Sequence, residues 1–278
     1  MTDIKCADLH VHTFYSDSTF SPEEVVACAK DRGLAAIAIC DHDSIDGIEP
    51  CLKLGAGMDV EIIPGVELTV EKEDAEIHLL GYFVDWKNAF FCSKLKEMQK
   101  MRIDRVREMI KRLHKAGVKV DPEEVFRLAG RGTVGRLHLA QAIIKGGTVK
   151  GFREVFEKYI GFRKPCYVSS ARFSPRETIE MILKTGGVPV LAHPGVMGKD
   201  EYIPELIEYG LRGIEVYHTD HKNNAVKHYE ELAKEHNLLM TGGSDCHGLG
   251  KGRVLLGEVR VPYDIVELLK KEAKNKAQ

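Results

Sequence analysis

The sequence predicts an α/β protein built from βα repeats around a mainly parallel sheet. Short apolar runs alternate with helical patterns of about a dozen residues, and nearly every apolar run ends in a histidine or an acid. Across residues 93–164 the alternation gives way to helices alone, which reads as an inserted helical subdomain dividing a barrel-type domain of residues 1–92 and 165–278. A chain of 278 residues, 44% hydrophobic and 29% charged, is long enough for one large α/β domain with such an insertion.

The first strand is "ADLHVHT", in which His10 and His12 sit two apart and share a face. "SPEEVVACAKDRG" follows as a helix: Ser21 caps it, Pro22 opens the first turn, Glu23 and Glu24 come next, and Gly33 stops it. "AAIAICDH", "VEIIPGVELTV" and "EIHLLGYFV" are the next strands. The helical stretch opens with "SKLKEMQKMRIDRVREMIKRLHKAG", whose Leu95, Met98, Met101, Ile103, Val106, Met109, Ile110 and Leu113 keep helical spacing. Its basic residues read as a solvated face balanced by nearby acids. Glycine-containing breaks at "AGRGTVGR" and "IKGGTVKGF" divide the stretch, and "SPRETIEMILKTGG" repeats the first helix's grammar from Ser174. "VPVLAHP", "GIEVYH" and "LLMTGGSDCH" complete the strands.

Bulk properties exclude several classes. A net charge of −2 argues against a generally basic, nucleic-acid-coating surface. No uncharged apolar run approaches the roughly 18 residues of a membrane span, and "MTDIKCAD" offers no apolar signal core, so a cytoplasmic location without membrane partners is expected. The seven cysteines form no CxxC pair and read as reduced core thiols; Cys246 reads as packing rather than ligation.

The chemistry lies at the strand ends. In parallel α/β folds side chains at the C-terminal ends of strands converge on one mouth. His10, His12, His42, Glu67, His78, His193, Asp245 and His247 occupy such positions, and Asp17 follows the first strand. Burying so many polar groups around one cavity would be very costly unless something cationic satisfied them. Six imidazoles and three carboxylates carry a total charge of −3, enough for three divalent ions once bridging ligands are shared. The residual positive charge suits a phosphate dianion. Mixed imidazole and carboxylate donors fit Mn²⁺, Fe²⁺ or Zn²⁺.

Taken in order, "DLHVHTFYSD", "CDHD", "GVE", "HLLGY", "LAHPG" and "GSDCH" resemble the motifs of the polymerase and histidinol phosphatase (PHP) family. The resemblance implies a distorted (βα)7 TIM-like barrel with a trinuclear metal centre and phosphoester hydrolysis by attack of metal-bound hydroxide. It implies one ion on His10, His12, Glu67 and Asp245, a second on Glu67, His78 and His193, and a third on Asp17, His42 and His247. Several family members carry His in place of Asp17, an exchange that favours an oxygen-loving third ion.

Within the family, the insertion and "TVGRLHLAQAII" resemble the subgroup that removes the 3′-phosphate of 3′,5′-nucleoside bisphosphates to leave a 5′-nucleotide; some relatives trim short RNA from its 5′ end. The resemblance maps an Arg-x-His facing the metals to Arg136 and His138, and an arginine fork can hold a phosphate bidentately. His218 is a candidate to protonate the leaving oxygen or bind phosphate, with His221 beside it. Asp43 is expected to orient His42 or bond the substrate. Arg163, Lys164 and Ser169 are candidates for the rim, and "GKGR" at 250–253 reads as a turn. The alternatives are a phosphatase for another small phosphomonoester such as histidinol phosphate, and a 5′-end exonuclease on short RNA. Amide-type C–N hydrolysis lacks a strand-end lysine for a carbamate bridge, and a decayed binding domain is at odds with nine occupied ligand positions.

Overall fold

The computed structural model describes residues 5–169 and 173–274. Seven strands follow one another in chain order around the sheet: β1 (Cys6–Val11), β2 (Ala36–Ile39), β3 (Glu61–Lys72), β4 (Ala75–Tyr82), β5 (Val188–Leu191), β6 (Gly213–His218) and β7 (Leu239–Gly243). A two-residue β8 (Val261–Pro262), too short to leave a periodic signature, adds antiparallel to β1. The ring nearly closes where β7 returns to β1: the His12 amide donates to Cys246 O at 3.1 Å. Gly243 makes this approach possible, since a Cβ there would come within 2.4 Å of His10 Cβ.

The helices are α1 (Pro22–Asp31), α2 (Ile48–Met58), α3 (Ala89–Lys115), α4 (Pro122–Ala129), α5 (Arg136–Lys145), α6 (Phe152–Val155), α7 (Pro175–Lys184), α8 (Pro194–Met197), α9 (Ile203–Glu208), α10 (Asn223–Glu235) and α11 (Asp264–Lys274). The expected capping grammar is present in α1 and α7: Ser21 with Glu24 and Ser174 with Glu177 form reciprocal capping boxes, and proline opens each first turn.

Strands buried on both faces carry apolar residues at every position. In β2, Ala36 and Ala38 share a cluster with Leu9, Leu80 and Tyr82, while Ile37 and Ile39 pack with Val25 and Val26 of α1. One strand departs from the expected parallel pattern. β4 runs antiparallel to both β3 and β5. A turn at Glu73–Asp74 sends the chain straight back without a helix, so the beginning of β4, not its end, lies at the mouth. Thr69 pairs with His78 there.

α3 starts at Ala89, with Asn88 as its cap. Phe91, Leu95 and Met98 pack into the barrel's cluster with Leu79 and Ile182, whereas Val106, Met109 and Leu113 join Val125, Leu139 and Ile143 in a separate cluster. The helix is thus a beam between two cores. α6 widens into a π-helical turn, Phe156–Ile160.

Candidate metal centre

The structure brings the nine strand-end residues to one place, with Glu67 as the hub. Its Oε2 lies 3.3 Å from Nε2 of both His10 and His12 and 3.1 Å from His42 Nδ1. Its Oε1 lies 2.7 Å from His78 Nδ1 and 3.0 Å from His193 Nε2. Asp245 Oδ1 stands 3.0 Å from His12 Nε2, and Asp17 Oδ1 stands 3.1 Å from His247 Nε2. Three donor sets have their atoms within 4.8 Å of one another: His10, His12, Glu67 and Asp245; His42, Glu67 and His78; and His12, Asp17, His42 and His247. His42 therefore stands between two sets, and His193 approaches through Glu67.

A layer of carboxylates behind the donors fixes how they point. His10 Nδ1 is 3.0 Å from Glu215 Oε1, and the other oxygen of Glu215 accepts from the His193 amide at 2.8 Å. Asp41 accepts from the Thr13 amide at 2.7 Å and from the Ser16 hydroxyl at 2.6 Å. Ser16 Oγ is in turn 3.4 Å from His12 Nδ1. With Nδ1 engaged from behind, both rings turn Nε2 to the centre, the arrangement metal-ligating histidines use. His193 and Asp245 hold positive φ values of 26° and 51°, strain of about 1–3 kcal/mol each that the surrounding fold sustains.

The site's electrostatics suit cations. Burial pushes His12 down to about 4, with His247 adding to it, so the imidazole is neutral near pH 7 as a ligand must be. Against the burial that would raise it, His42, His78 and His10 hold Glu67 well below the usual carboxylate range. Burial pushes Asp41 up to about 7, against its bonds from Ser16 and Thr13. His10 Nε2, His12 Nε2, Asp17 Oδ1, His42 Nδ1, Glu67 Oε2 and His218 Nε2 are buried without a hydrogen-bond partner. Each such atom would cost roughly 1–3 kcal/mol if left so. Divalent ions coordinated by these nitrogens and oxygens, His218 Nε2 apart, would satisfy them, and the residues fit that role.

A cavity of about 370 Å³ opens over the donors, walled by the barrel mouth on one side and by α3, α5 and α6 on the other. Arg102, Arg105 and Arg136 line it. Arg102 Nε pairs with Asp43 Oδ2 while its Nη2 donates to Thr69 Oγ1 at 2.8 Å. Glu76 receives Arg136 on Oε1 and Arg105 on Oε2, the latter at 3.1 Å. Lys251 Nζ donates to Asp245 Oδ2 at 2.6 Å.

Several expected substrate residues are placed otherwise. Asp43 spends one oxygen on Arg102 and the other on the Thr69 amide at 3.3 Å, so it positions an arginine rather than His42 or a substrate. His221 Nδ1 is 2.8 Å from Val216 O and its Nε2 accepts from the Gly195 amide at 3.1 Å, which leaves neither nitrogen for a substrate. His138 is buried in α5, where Nδ1 accepts from the Gly135 amide at 3.2 Å; it caps its own helix, off the cavity wall. His218 Nδ1 accepts from the Asp220 amide at 3.1 Å, and its Nε2 stands 3.6 Å from Asp245 Oδ2, behind the wall. Arg163, Lys164 and Ser169 are likewise absent from the lining; Arg163 donates to Glu73 O and Ser169 to Glu71.

Arg102, Arg105, Lys251, Glu76 and Glu215 are the residues that sequence reasoning missed. A signal existed for two of them: Met98, Arg102, Arg105 and Met109 are spaced by four, three and four, so both arginines stand in line with the helix's apolar stripe.

Fold and site together define a metal-dependent hydrolase whose barrel mouth gathers histidines and carboxylates that could hold metal ions. The family model for the PHP domain matches residues 8–162. A 3′,5′-nucleoside bisphosphate phosphatase of Chromobacterium violaceum is 31% identical over 251 residues, 88% of each chain. The 5′-3′ exoribonuclease Rnm of Escherichia coli is 32% identical over 247 residues, 86% of this chain and 84% of its own. A solved structure from Bifidobacterium adolescentis, described as a metal-dependent phosphoesterase, superposes with a TM-score of 0.88 at 29% identity over 96% of both chains. The chain belongs to the PHP family, and its activity is that of a metal-dependent phosphoesterase. Among the described residues no helix is long and apolar enough to cross a membrane.

Proposed function

We propose that this phosphoesterase removes the 3′-phosphate of 3′,5′-nucleoside bisphosphates, leaving a 5′-nucleotide, and that residues 93–164 form a cap that selects this substrate. The observation that carries the reading is the set of three arginines, Arg102, Arg105 and Arg136, on the same cavity wall above the donors. Metal ions alone can hold one phosphate; a second cationic group on the cap calls for a second anionic group on the substrate.

Three ions are the proposed complement, held by His10, His12, Glu67 and Asp245, by Glu67, His78 and His193, and by Asp17, His42 and His247. Such ions supply Lewis acidity toward phosphoryl oxygens and lower the pKa of water toward neutrality. Asp43 keeps Arg102 at the wall. Arg136, held by Glu76 through Nη2, stands at the wall to offer its remaining N–H groups to a phosphate. His218, with its proton on Nε2 because Nδ1 accepts from a backbone amide, steadies Asp245 from behind. Lys251, on the wall itself, is better placed than His218 to meet a phosphate oxygen.

A phosphate-release assay on Mn²⁺-reconstituted protein tests this reading. Adenosine 3′,5′-bisphosphate should give the highest kcat/KM among a panel of 3′- and 5′-mononucleotides, histidinol phosphate and short 5′-phosphorylated RNAs, with AMP as product. A monophosphate or an RNA hydrolysed as well as the bisphosphate overturns it.

A further inference from the structure

One part of the cavity wall has no task in holding ions or phosphates. Phe152 and Phe156 lie four apart, on one face of α6 and its π-helical turn, and both line the cavity. Each is only partly buried, although Val155 and Ile160 beside them are fully packed into the cap's core. Leu137 joins them from α5, and from the barrel side Val196 of α8 faces the same space, 59% exposed. Phe152 and Phe156 pack partly against the cap's core cluster, yet each leaves apolar surface uncovered in the wall of an otherwise charged cavity, which folding alone does not call for. The local π-helix, rare and frequent at functional sites, is what turns this short segment.

The order of groups leading outward from the donors supplies a ruler. His78 Nε2 is 3.6 Å from Glu76 Oε1, Glu76 pairs with Arg136, and the Arg136 guanidinium sits 5.7 Å from the Phe156 ring centroid and 5.7 Å from that of Tyr167. Passing from the ions to the phenylalanines, a ligand meets a cation first and then an aromatic face.

We infer that Phe152 and Phe156, with Leu137 and Val196, form a stacking subsite for a planar heteroaromatic base. This deepens the reading above, on which it rests for the placement of the phosphates. The subsite takes the base by its face. Apart from the histidines assigned to the ions, Thr69 is the one uncharged polar side chain among the described residues lining the cavity, and its hydroxyl accepts from Arg102. Among the described residues no side-chain amide lines it, so no paired donor and acceptor of the amide kind faces a base edge. Purine and pyrimidine nucleotides are therefore both accepted.

Isothermal titration of the metal-loaded protein with AMP and with ribose 5-phosphate, which keeps the phosphate and sugar but lacks the base, tests the inference without turnover. Stacking on an aromatic side chain predicts that AMP binds roughly five- to 150-fold more tightly. Phe156→Leu, which keeps apolar volume for the cap's core but removes the ring, should erase most of that difference and leave ribose 5-phosphate within about twofold. Phe156→Trp should preserve it. Equal affinity for the two ligands in the unmodified protein, or an equal loss of both in Phe156→Leu, overturns the subsite. The two readings fail separately: if AMP outbinds ribose 5-phosphate through Phe156 but bisphosphates are not hydrolysed, the substrate assignment falls and the subsite stands. If bisphosphates are hydrolysed and the base adds nothing, the reverse holds.

Discussion

The barrel mouth and the helical cap both crowd charged groups around one cavity, but they settle their charges differently. At the mouth, imidazoles and carboxylates face inward with buried atoms left unpaired. On the cap side each arginine already has a carboxylate: Asp43 for Arg102, Glu76 for Arg105 and Arg136. The mouth leaves donors unpaired; the cap's three arginines are each held by a carboxylate of the barrel, two carboxylates serving all three. Removing one group should therefore be severe at the mouth and graded on the cap.

The largest effect is expected at Glu67, which belongs to two of the three donor sets. Glu67→Ala should lower kcat/KM by on the order of 10³-fold, since metal-derived charge stabilisation is worth several kcal/mol. Mass spectrometry of the native protein should show bound metal lost as well. Added Mn²⁺ should raise the Tm of the unmodified protein by linkage but have little effect on this variant. A full metal complement in Glu67→Ala would break the contrast, because the mouth would then tolerate the loss of one group as the cap does.

Arg136→Ala comes next. Loss of a charge-assisted bond to phosphate should lower kcat/KM for a bisphosphate by about 1.5–3 kcal/mol. A simple mononucleotide that does not reach the cap should change little, and metal content should stay intact. Equal losses on both substrates would assign Arg136 to holding Glu76 rather than to recognition.

Glu215→Gln sharpens the comparison from behind the mouth. The amide keeps the shape but weakens the grip on His10 Nδ1, and partners of metal-binding histidines typically govern affinity by about 10–100-fold. Competition with a chelator should reveal that loss of metal affinity, whereas the activity of fully loaded enzyme should fall less. Unchanged metal affinity would make Glu215 a purely structural carboxylate.

The mouth was far more legible in the sequence than the cap, for a physical reason. All seven barrel strands and the gathering of the nine candidate residues could be read because histidines and acids recur where apolar runs end, and only convergence at one place explains that. Strand direction could not be read: alternation in "EIHLLGYFV" is the same in either sense, and only a turn too short for a helix reverses β4. Glu215, an acid inside the apolar run "GIEVYH", carried a signal that went unused. On the cap, charge was equated with exposure. That holds for most of α3 and fails for Arg102 and Arg105, whose long chains continue the apolar stripe while their heads reach carboxylates. His221 and Asp43 misled because proximity in sequence to a ligand does not reveal which backbone groups fill a side chain's bonds.

The smallest expected effect is also the most direct test of that distinction, because it lies two residues from one of the buried arginines. Arg107 shares α3 with Arg105 and is 63% exposed, with Nη1 3.8 Å from Asp104 Oδ1. Arg105 is 7% exposed, lines the cavity and donates to Val168 O at 2.7 Å and to Glu76. A helix turns about 100° per residue, so a step of two carries the side chain to the opposite face. Arg107→Gln should change stability by no more than about 0.5 kcal/mol, since exposed ion pairs contribute little, and should leave kcat/KM within twofold. Arg105→Gln strips a buried pair of one partner, leaving Glu76 with Arg136 on Oε1 and the Tyr167 hydroxyl on Oε2 at 3.1 Å; bisphosphate kcat/KM should fall by at least about 1 kcal/mol. If the two variants behave alike, either both faint or both severe, the cap does not divide into a solvated and a selecting face, and the arginines at the cavity wall are no more than a balanced surface network.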